Sequence, residues 1–346
     1  MKKLERPLLG TVYLIEPQQT DQSRRRDLEN IAAAGFGLVV LWPPVSRWDS
    51  ADGLALAFDS VDRVLDLCAS LYLSAILELE GQNPAYQFMP DYLFKEEYFS
   101  RDDTGKHWIN YLHPEVDRLI CEYVRAVASH FRGHPALLGY DLFNEVNFRS
   151  TDRWNLQAFQ DWLREKYGEV KELNRVWGRF FAEFSQVRLD NLDYAYSKWS
   201  SLAPQLDFFD FRADTIAGLL RRWATVVRSV DPEHPVLADS SWSMTCFDNY
   251  RLGNDDWKTA AAVDYFGLSV YPQSWDVHIA GDPCPIAQIY NAGRSAAPGR
   301  PVFVSELQTH NQTALARNSS VFDELKLWSW QAFMHGIEAL VYWKWQ

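Results

Sequence analysis

Gly139-Tyr140-Asp141-Leu142-Phe143-Asn144-Glu145-Val146-Asn147 is a short apolar run that stops at an amide and a carboxylate and gives way to a polar loop. A buried strand gains nothing from a carboxylate at its end unless that group sits at the rim of a site. The plainer reading is that Glu145 caps the next helix or pairs with an arginine. The neighbouring runs decide between the two.

Working outward, apolar runs of strand length alternate with helix-length segments. Upstream, strands are read at 11–15, 37–42 and 74–80. The second is apolar throughout and closed by Pro43-Pro44, as expected of a strand buried on both faces. Helices are read at 21–34, stopped by Gly35, and after Asp59 or Ser60, where Val61, Val64, Leu65, Cys68 and Leu71 share one face. Another covers 115–131. Downstream comes a long insertion, 148–204, with a helix near 155–167, and then a helix over 210–229. Strands follow at 235–239, 263–270, 301–305 and 339–345, with a helix at 321–335. Eight apolar strands with helices between them specify an α/β fold: a (β/α)8 TIM barrel with a large insertion after strand four, residues 1–346 forming one domain. An open doubly wound sheet fits the early units, but the glycine-rich loop of its nucleotide-binding version is missing.

The composition narrows the partner. An apolar fraction of 47% supports a full core, and 15 Trp and 16 Tyr suit clefts that bind partly polar ligands such as sugars, beside their use as core filler. A net charge of −12 argues against nucleic acid or an anionic membrane surface, and Arg24-Arg25-Arg26 reads as a solvated helix face. No apolar run reaches the roughly 18 residues of a membrane span, and the basic start at Met1-Lys2-Lys3 has no apolar stretch behind it. The sequons at Asn311 and Asn318 read as chance matches. Cys68, Cys121, Cys246 and Cys284 are far apart and read as small buried hydrophobes in a reducing cytoplasm.

In a barrel, a polar residue that closes an apolar strand faces the mouth. Glu145 closes strand four and Glu306 closes strand seven. Two carboxylates there suit glycoside hydrolysis with retention, one as nucleophile and one as acid then base, at a separation of about 5–5.5 Å. Asn144 is placed to hydrogen-bond a sugar hydroxyl. Trp42, Trp343 and Trp345 end strands, and alternation puts the last two on one face. Glu16 and Glu80 also end strands and read as salt-bridge or capping groups. The aromatic-rich segment 82–112 is long enough to be functional. His107, His113, His134 and His310 have no ligand spacing, so neither metal nor cofactor is expected.

A strand-four Asn-Glu with a strand-seven Glu resembles the clan of retaining barrel glycosidases, clan A. Phe159-Gln160-Asp161-Trp162-Leu163-Arg164-Glu165-Lys166-Tyr167-Gly168, followed by Glu172-Leu173-Asn174-Arg175-Val176-Trp177-Gly178, resembles the segment after the acid/base in glycoside hydrolase family 42, the β-galactosidase family. Leu206-Asp207-Phe208-Phe209-Asp210-Phe211, Tyr271-Pro272 and Gly336-Ile337-Glu338-Ala339-Leu340-Val341 are similar too. The resemblance runs from about residue 8 to 346 and covers the catalytic barrel portion.

It implies Glu145 as acid/base, Glu306 as nucleophile and Asn144 as a substrate-binding neighbour. Tyr271 is a candidate to hydrogen-bond the nucleophile, Trp343 a candidate sugar platform, and Trp42 and Trp242 further site candidates. The chain departs from the family at several points. Val39-Val40-Leu41-Trp42 stands where strand two usually brings an arginine, and Phe143 where an Asp is common. The zinc-binding cysteines of some relatives are missing, and Trp343-Lys344-Trp345-Gln346 replaces Arg-Trp-Arg-Gln. The implied protein is a cytoplasmic, β-galactosidase-like glycosidase acting on a small oligosaccharide or glycoside. The same mechanism on a β-mannoside or β-glucoside, and a non-catalytic carbohydrate-binding barrel, are the alternatives. Family members are usually longer and carry further domains, one of which serves oligomerisation; either the chain is part of a longer protein with further C-terminal domains outside it, or a shorter relative closes its barrel differently, and a homo-oligomer stays open.

Overall fold

The computed structural model describes residues 7–16, 18–42, 51–79, 96–101, 107–148, 150–189, 201–241, 249–272, 283–309 and 322–345. Glu80, Trp242, Cys246, His310 and most of the aromatic segment 82–112 lie outside the described residues. The chain begins with β1 (Leu8–Leu14), α1 (Asp21–Ala33), β2 (Leu38–Trp42), α2 (Ala51–Ser70) and β3 (Ser74–Glu78). A short antiparallel pair, β4 (Phe99–Arg101) and β5 (His107–Ile109), precedes α3 (Pro114–Phe131) and β6 (Leu137–Asp141). Helices α4 (Arg153–Tyr167), α5 (Val170–Trp177) and α6 (Ala203–Arg228) follow, then β7 (Val236–Ser241), α7 (Asp256–Ala262) and β8 (Tyr265–Val270). The last units are α8 (Pro283–Ala296), β9 (Val302–Gln308), α9 (Phe322–Met334) and β10 (Ala339–Trp343).

β1, β2, β3, β6, β7, β8, β9 and β10 close into a parallel barrel in that order, so the expected (β/α)8 architecture is the fold found. Some elements differ from the sequence reading. α2 begins at Ala51 rather than at Asp59 or Ser60, because Leu54-Ala55-Leu56-Ala57 are strong helix formers that extend it. α6 begins at Ala203 rather than near 210; Pro204 sits in its first turn, where no backbone donor is needed. The sequence reading names no helix at α5, α7 or α8. Arg24 is not solvated: it turns inward, donates to the Glu16 carbonyl at 3.2 Å and pairs with Asp21 at 3.5 Å. Cys68 is buried as expected, but Cys121 is half-buried and Cys284 exposed. No helix among the described residues is long and apolar enough to cross a membrane.

Between β6 and α6, the chain is tied at one carboxylate. Asp207 of α6 accepts from Lys166 Nζ at 2.8 Å, Tyr167 Oη at 2.6 Å and Trp177 Nε1 at 2.7 Å. The Phe159 ring packs beside it against Trp162, Trp177, Phe208 and Phe211. The lower barrel interior is apolar, filled by Val40, Ile76, Leu237, Tyr265, Phe303 and Val341 among others.

Candidate active site

Side chains two residues apart on a strand share a face. Two positions beyond inward-facing Ile76 stands Glu78, and two beyond Leu237 stands Asp239. Asp141 is the register partner of Glu78 and faces the same way. The fourth acid needs a different device. Along β9, Val304 is opposite Leu268 but Glu306 is opposite Ser269; on the other side Leu340 meets Val304 while Tyr342 meets Leu307. β9 therefore carries one residue more than either neighbour, a bulge at Ser305-Glu306. Both residues serve the interior: Ser305 Oγ donates to Asp239 Oδ2 at 2.6 Å, and the Tyr271 hydroxyl donates to Glu306 Oε2.

Asp239 is the hub. It is fully buried, and Oδ2 also accepts from Ser269 Oγ at 2.8 Å. Its reach from β7 across β8 to β9 depends on Gly267, where a Cβ would lie 2.5 Å from Asp239 Cβ and 3.0 Å from Ser305 Oγ. Asp239 Oδ1 accepts from the Glu145 backbone N–H at 2.9 Å, and its carbonyl accepts from Val146 N–H at 2.9 Å. These bonds hold Glu145 at φ 51°, a left-handed conformation that costs a non-glycine residue free energy. Asn147 Nδ2 adds a bond to the Glu145 carbonyl at 3.0 Å.

The acids act on one another. Burial first, then the charges of Glu145 and Asp239, push the Glu306 pKa well up; the Tyr271 donor works in the opposite direction. Glu78 is raised by burial and then by Asp141, Asp239, Glu306 and Glu145. Burial and the Asp239 charge raise Asp141. Burial raises Asp239, against the donors from Ser305, Glu145 and Ser269. Exposure is 7% for Glu78, 2% for Asp141 and 5% for Glu306, so water screens them little. Such a layer can hold and pass protons and can bind hydroxyl groups.

The structure brings Glu145, Glu306, Tyr271 and buried Asn144 to the mouth. Trp42 and Trp343 meet edge-on there, 5.1 Å between ring centroids. Trp345 does not share the face of Trp343: β10 ends at Trp343, the alternation lapses, and Trp345 packs against Phe36 on the outer core. Glu16 accepts from Gln18 at 2.5 Å, and His113 caps α3 by accepting from Glu115 N–H at 3.2 Å. The sequence reading passed over Glu78, Asp141 and Asp239. The signal for Glu78 and Asp239 was there: an acid two positions after an inward apolar residue near the end of a barrel strand.

β-Galactosidase LacZ of Heyndrickxia coagulans is 24% identical, aligning over 100% of this chain and 52% of its own length. β-Galactosidase BgaB of a Geobacillus species is 24% identical over 92% of this chain and 48% of its own. The chain thus spans about half the length of these curated relatives. Among solved structures, the β-galactosidase of the psychrophilic Marinomonas ef1 superimposes with a TM-score of 0.82 at 20% identity, covering 98% of this chain and 54% of that one. An endo-β-1,4-mannanase from Thermotoga petrophila superimposes with a TM-score of 0.65 at 14% identity, over 98% and 68%. These likenesses speak for the fold. The sequence model described as β-galactosidase, that of glycoside hydrolase family 42, matches residues 53–346, and the chain belongs to that family.

Proposed function

We propose that residues 1–346 form a catalytic barrel that hydrolyses a β-linked glycoside with retention, β-galactosidase-like in substrate. The observation that carries the reading is that buried Glu306 and half-buried Glu145 share the barrel mouth, close enough for the charge of Glu145 to raise the Glu306 pKa, with the Tyr271 O–H directed at Glu306. In the first step the Glu306 carboxylate attacks the anomeric carbon. The bond to the leaving oxygen breaks, and Glu145 gives that oxygen its proton. In the second, Glu145 takes a proton from water, the water oxygen bonds to the anomeric carbon, and the bond to Glu306 breaks. Two carboxyl groups in one site hold a proton between them more readily than they both ionise. The Tyr271 donor favours the anion on Glu306, the form the first step needs.

Asn144 contributes a hydrogen bond to the sugar, Trp343 a platform, and Trp42 and Trp242 further contacts. Galactose as the preferred sugar rests on the names of the relatives. The same two-glutamate chemistry on a β-mannoside or β-glucoside is the second reading, favoured by the apolar strand-two segment Val39-Val40-Leu41-Trp42 in place of an arginine. A cytoplasmic setting belongs to the same reading and rests on four cysteines without a pairing motif.

The test is a panel of aryl β-glycosides with two variants. Glu306→Gln is expected to lower turnover by roughly 10⁴-fold or more on every substrate. Glu145→Ala is expected to spare substrates whose leaving group needs no proton and to fail on alkyl glycosides. Near wild-type turnover by Glu306→Gln on activated glycosides would remove Glu306 as the nucleophile.

A further inference from the structure

Among the described residues, three polar atoms on one side of the barrel mouth are buried without a partner. They are Glu78 Oε1 at the end of β3, Trp42 Nε1 at the end of β2 and Trp343 Nε1 at the end of β10. Register brings them together: Leu41 is opposite Leu77, so Trp42 and Glu78 end neighbouring strands, and the Trp42 ring touches that of Trp343. The other acids of the layer are met from within. Asp239 receives two hydroxyls and a backbone N–H, Asp141 receives the Phe143 N–H at 3.2 Å, and Glu306 receives Tyr271. A buried polar atom without a partner forfeits its hydration and gains nothing in return. An acidic oxygen and two N–H donors, side by side and unmet, are what a ligand carrying hydroxyl groups would satisfy.

We propose that Glu78 is a specificity-determining residue whose carboxyl group binds a pair of adjacent hydroxyls on the glycone, with the Trp42 and Trp343 N–H groups on the same edge. The proposal rests on the glycosidase reading above. Its chemistry agrees with the electrostatics: burial and the surrounding acids favour the neutral form of Glu78, which offers a donor and an acceptor together, as a vicinal diol does. A carboxyl group fixed between two strands also discriminates by geometry, since an epimer points one of its two hydroxyls elsewhere.

The experiment combines enzyme and substrate deletions. The aryl β-glycoside best hydrolysed by the wild-type chain is compared with its 2-, 3-, 4- and 6-deoxy analogues, using wild type, Glu78→Ala and Glu78→Gln, each checked for folding by thermal unfolding. One or two deoxy positions are expected to cost the wild type roughly 10- to 100-fold in kcat/KM, and to cost Glu78→Ala almost nothing beyond its own loss. Glu78→Gln keeps the shape of the carboxyl group but fixes its polarity, one oxygen only accepting and one NH2 group only donating, so it should fall between the two; it carries the comparison should the alanine variant not fold. Equal deoxy penalties in wild type and variants would mean that Glu78 does not touch the sugar, and the proposal falls while the glycosidase reading stands. If the wild-type chain hydrolyses no β-glycoside, both fall.

Discussion

Ile76, Leu237 and Phe303 fill the lower barrel interior, and one pleat further along the same strands stand Glu78, Asp239 and the Ser305-Glu306 pair. The lower layer supplies free energy of folding, because each side chain leaves water for an apolar, close-packed surrounding. The upper layer consumes it. Four buried carboxyl groups in mutual contact with one another's fields are raised in pKa, and apolar filling of the same volume would be more stable. A barrel needs the first layer in order to exist. The proposed chemistry at the mouth gives the second a purpose, and contacts with Gly267, Ser269, Ser305 and Tyr271 hold Asp239 and Glu306 there.

That division can be broken from either side. The largest effect is expected from below. Phe303→Ala should cost about 3–5 kcal/mol of stability through the cavity it leaves, read as a lower midpoint in denaturant unfolding. Its relative kcat/KM values across a sugar panel should be unchanged. A changed preference would show that the two layers are not separable.

From above, Tyr271→Phe should change pH dependence more than fold. Losing the donor to Glu306 destabilises its anion, so the Glu306 pKa, already raised by burial, goes higher still. The reaction needs that anion. The acid limb of the kcat/KM profile should therefore move to higher pH, and an unmoved limb would take Tyr271 out of the proposed ionisation.

The smallest effect concerns stability alone. A carboxyl group whose pKa is raised on folding stabilises the fold below its unfolded pKa, and that contribution is lost as pH rises toward the folded value. Glu78 is raised in this way, first by burial. Replacing it by Gln should make the unfolding temperature fall less between about pH 5 and about pH 8 than in the wild type. An equal slope in both proteins would place the Glu78 proton elsewhere.

The sequence carried the lower layer almost whole, because strands buried on both faces are apolar throughout and cannot be mistaken for loops. It also placed Asn144, Glu145 and Tyr271 at strand ends. It did less well with the upper layer, for physical reasons. Glu78 and Asp239 lie inside runs whose apolar neighbours made them look incidental. Glu306 was placed at the end of strand seven, but strict alternation from Phe303 would turn it outward; the extra residue in β9 that brings it inward leaves no mark in a single sequence. Trp345 failed in the opposite way, since the alternation was carried past the end of the strand. The short Ala-rich α7 has too few turns to show a period.

The knot at Asp207 stands apart from the acidic layer. The block after strand four that resembles family 42 includes Lys166, Tyr167 and Trp177, and each of these side chains donates to Asp207. None of them donates to Glu78, Asp141, Asp239 or Glu306. The polar contacts of that block and the acids of the mouth thus lie in different parts of the molecule, so a substitution at Glu78 leaves the three bonds to Asp207 in place.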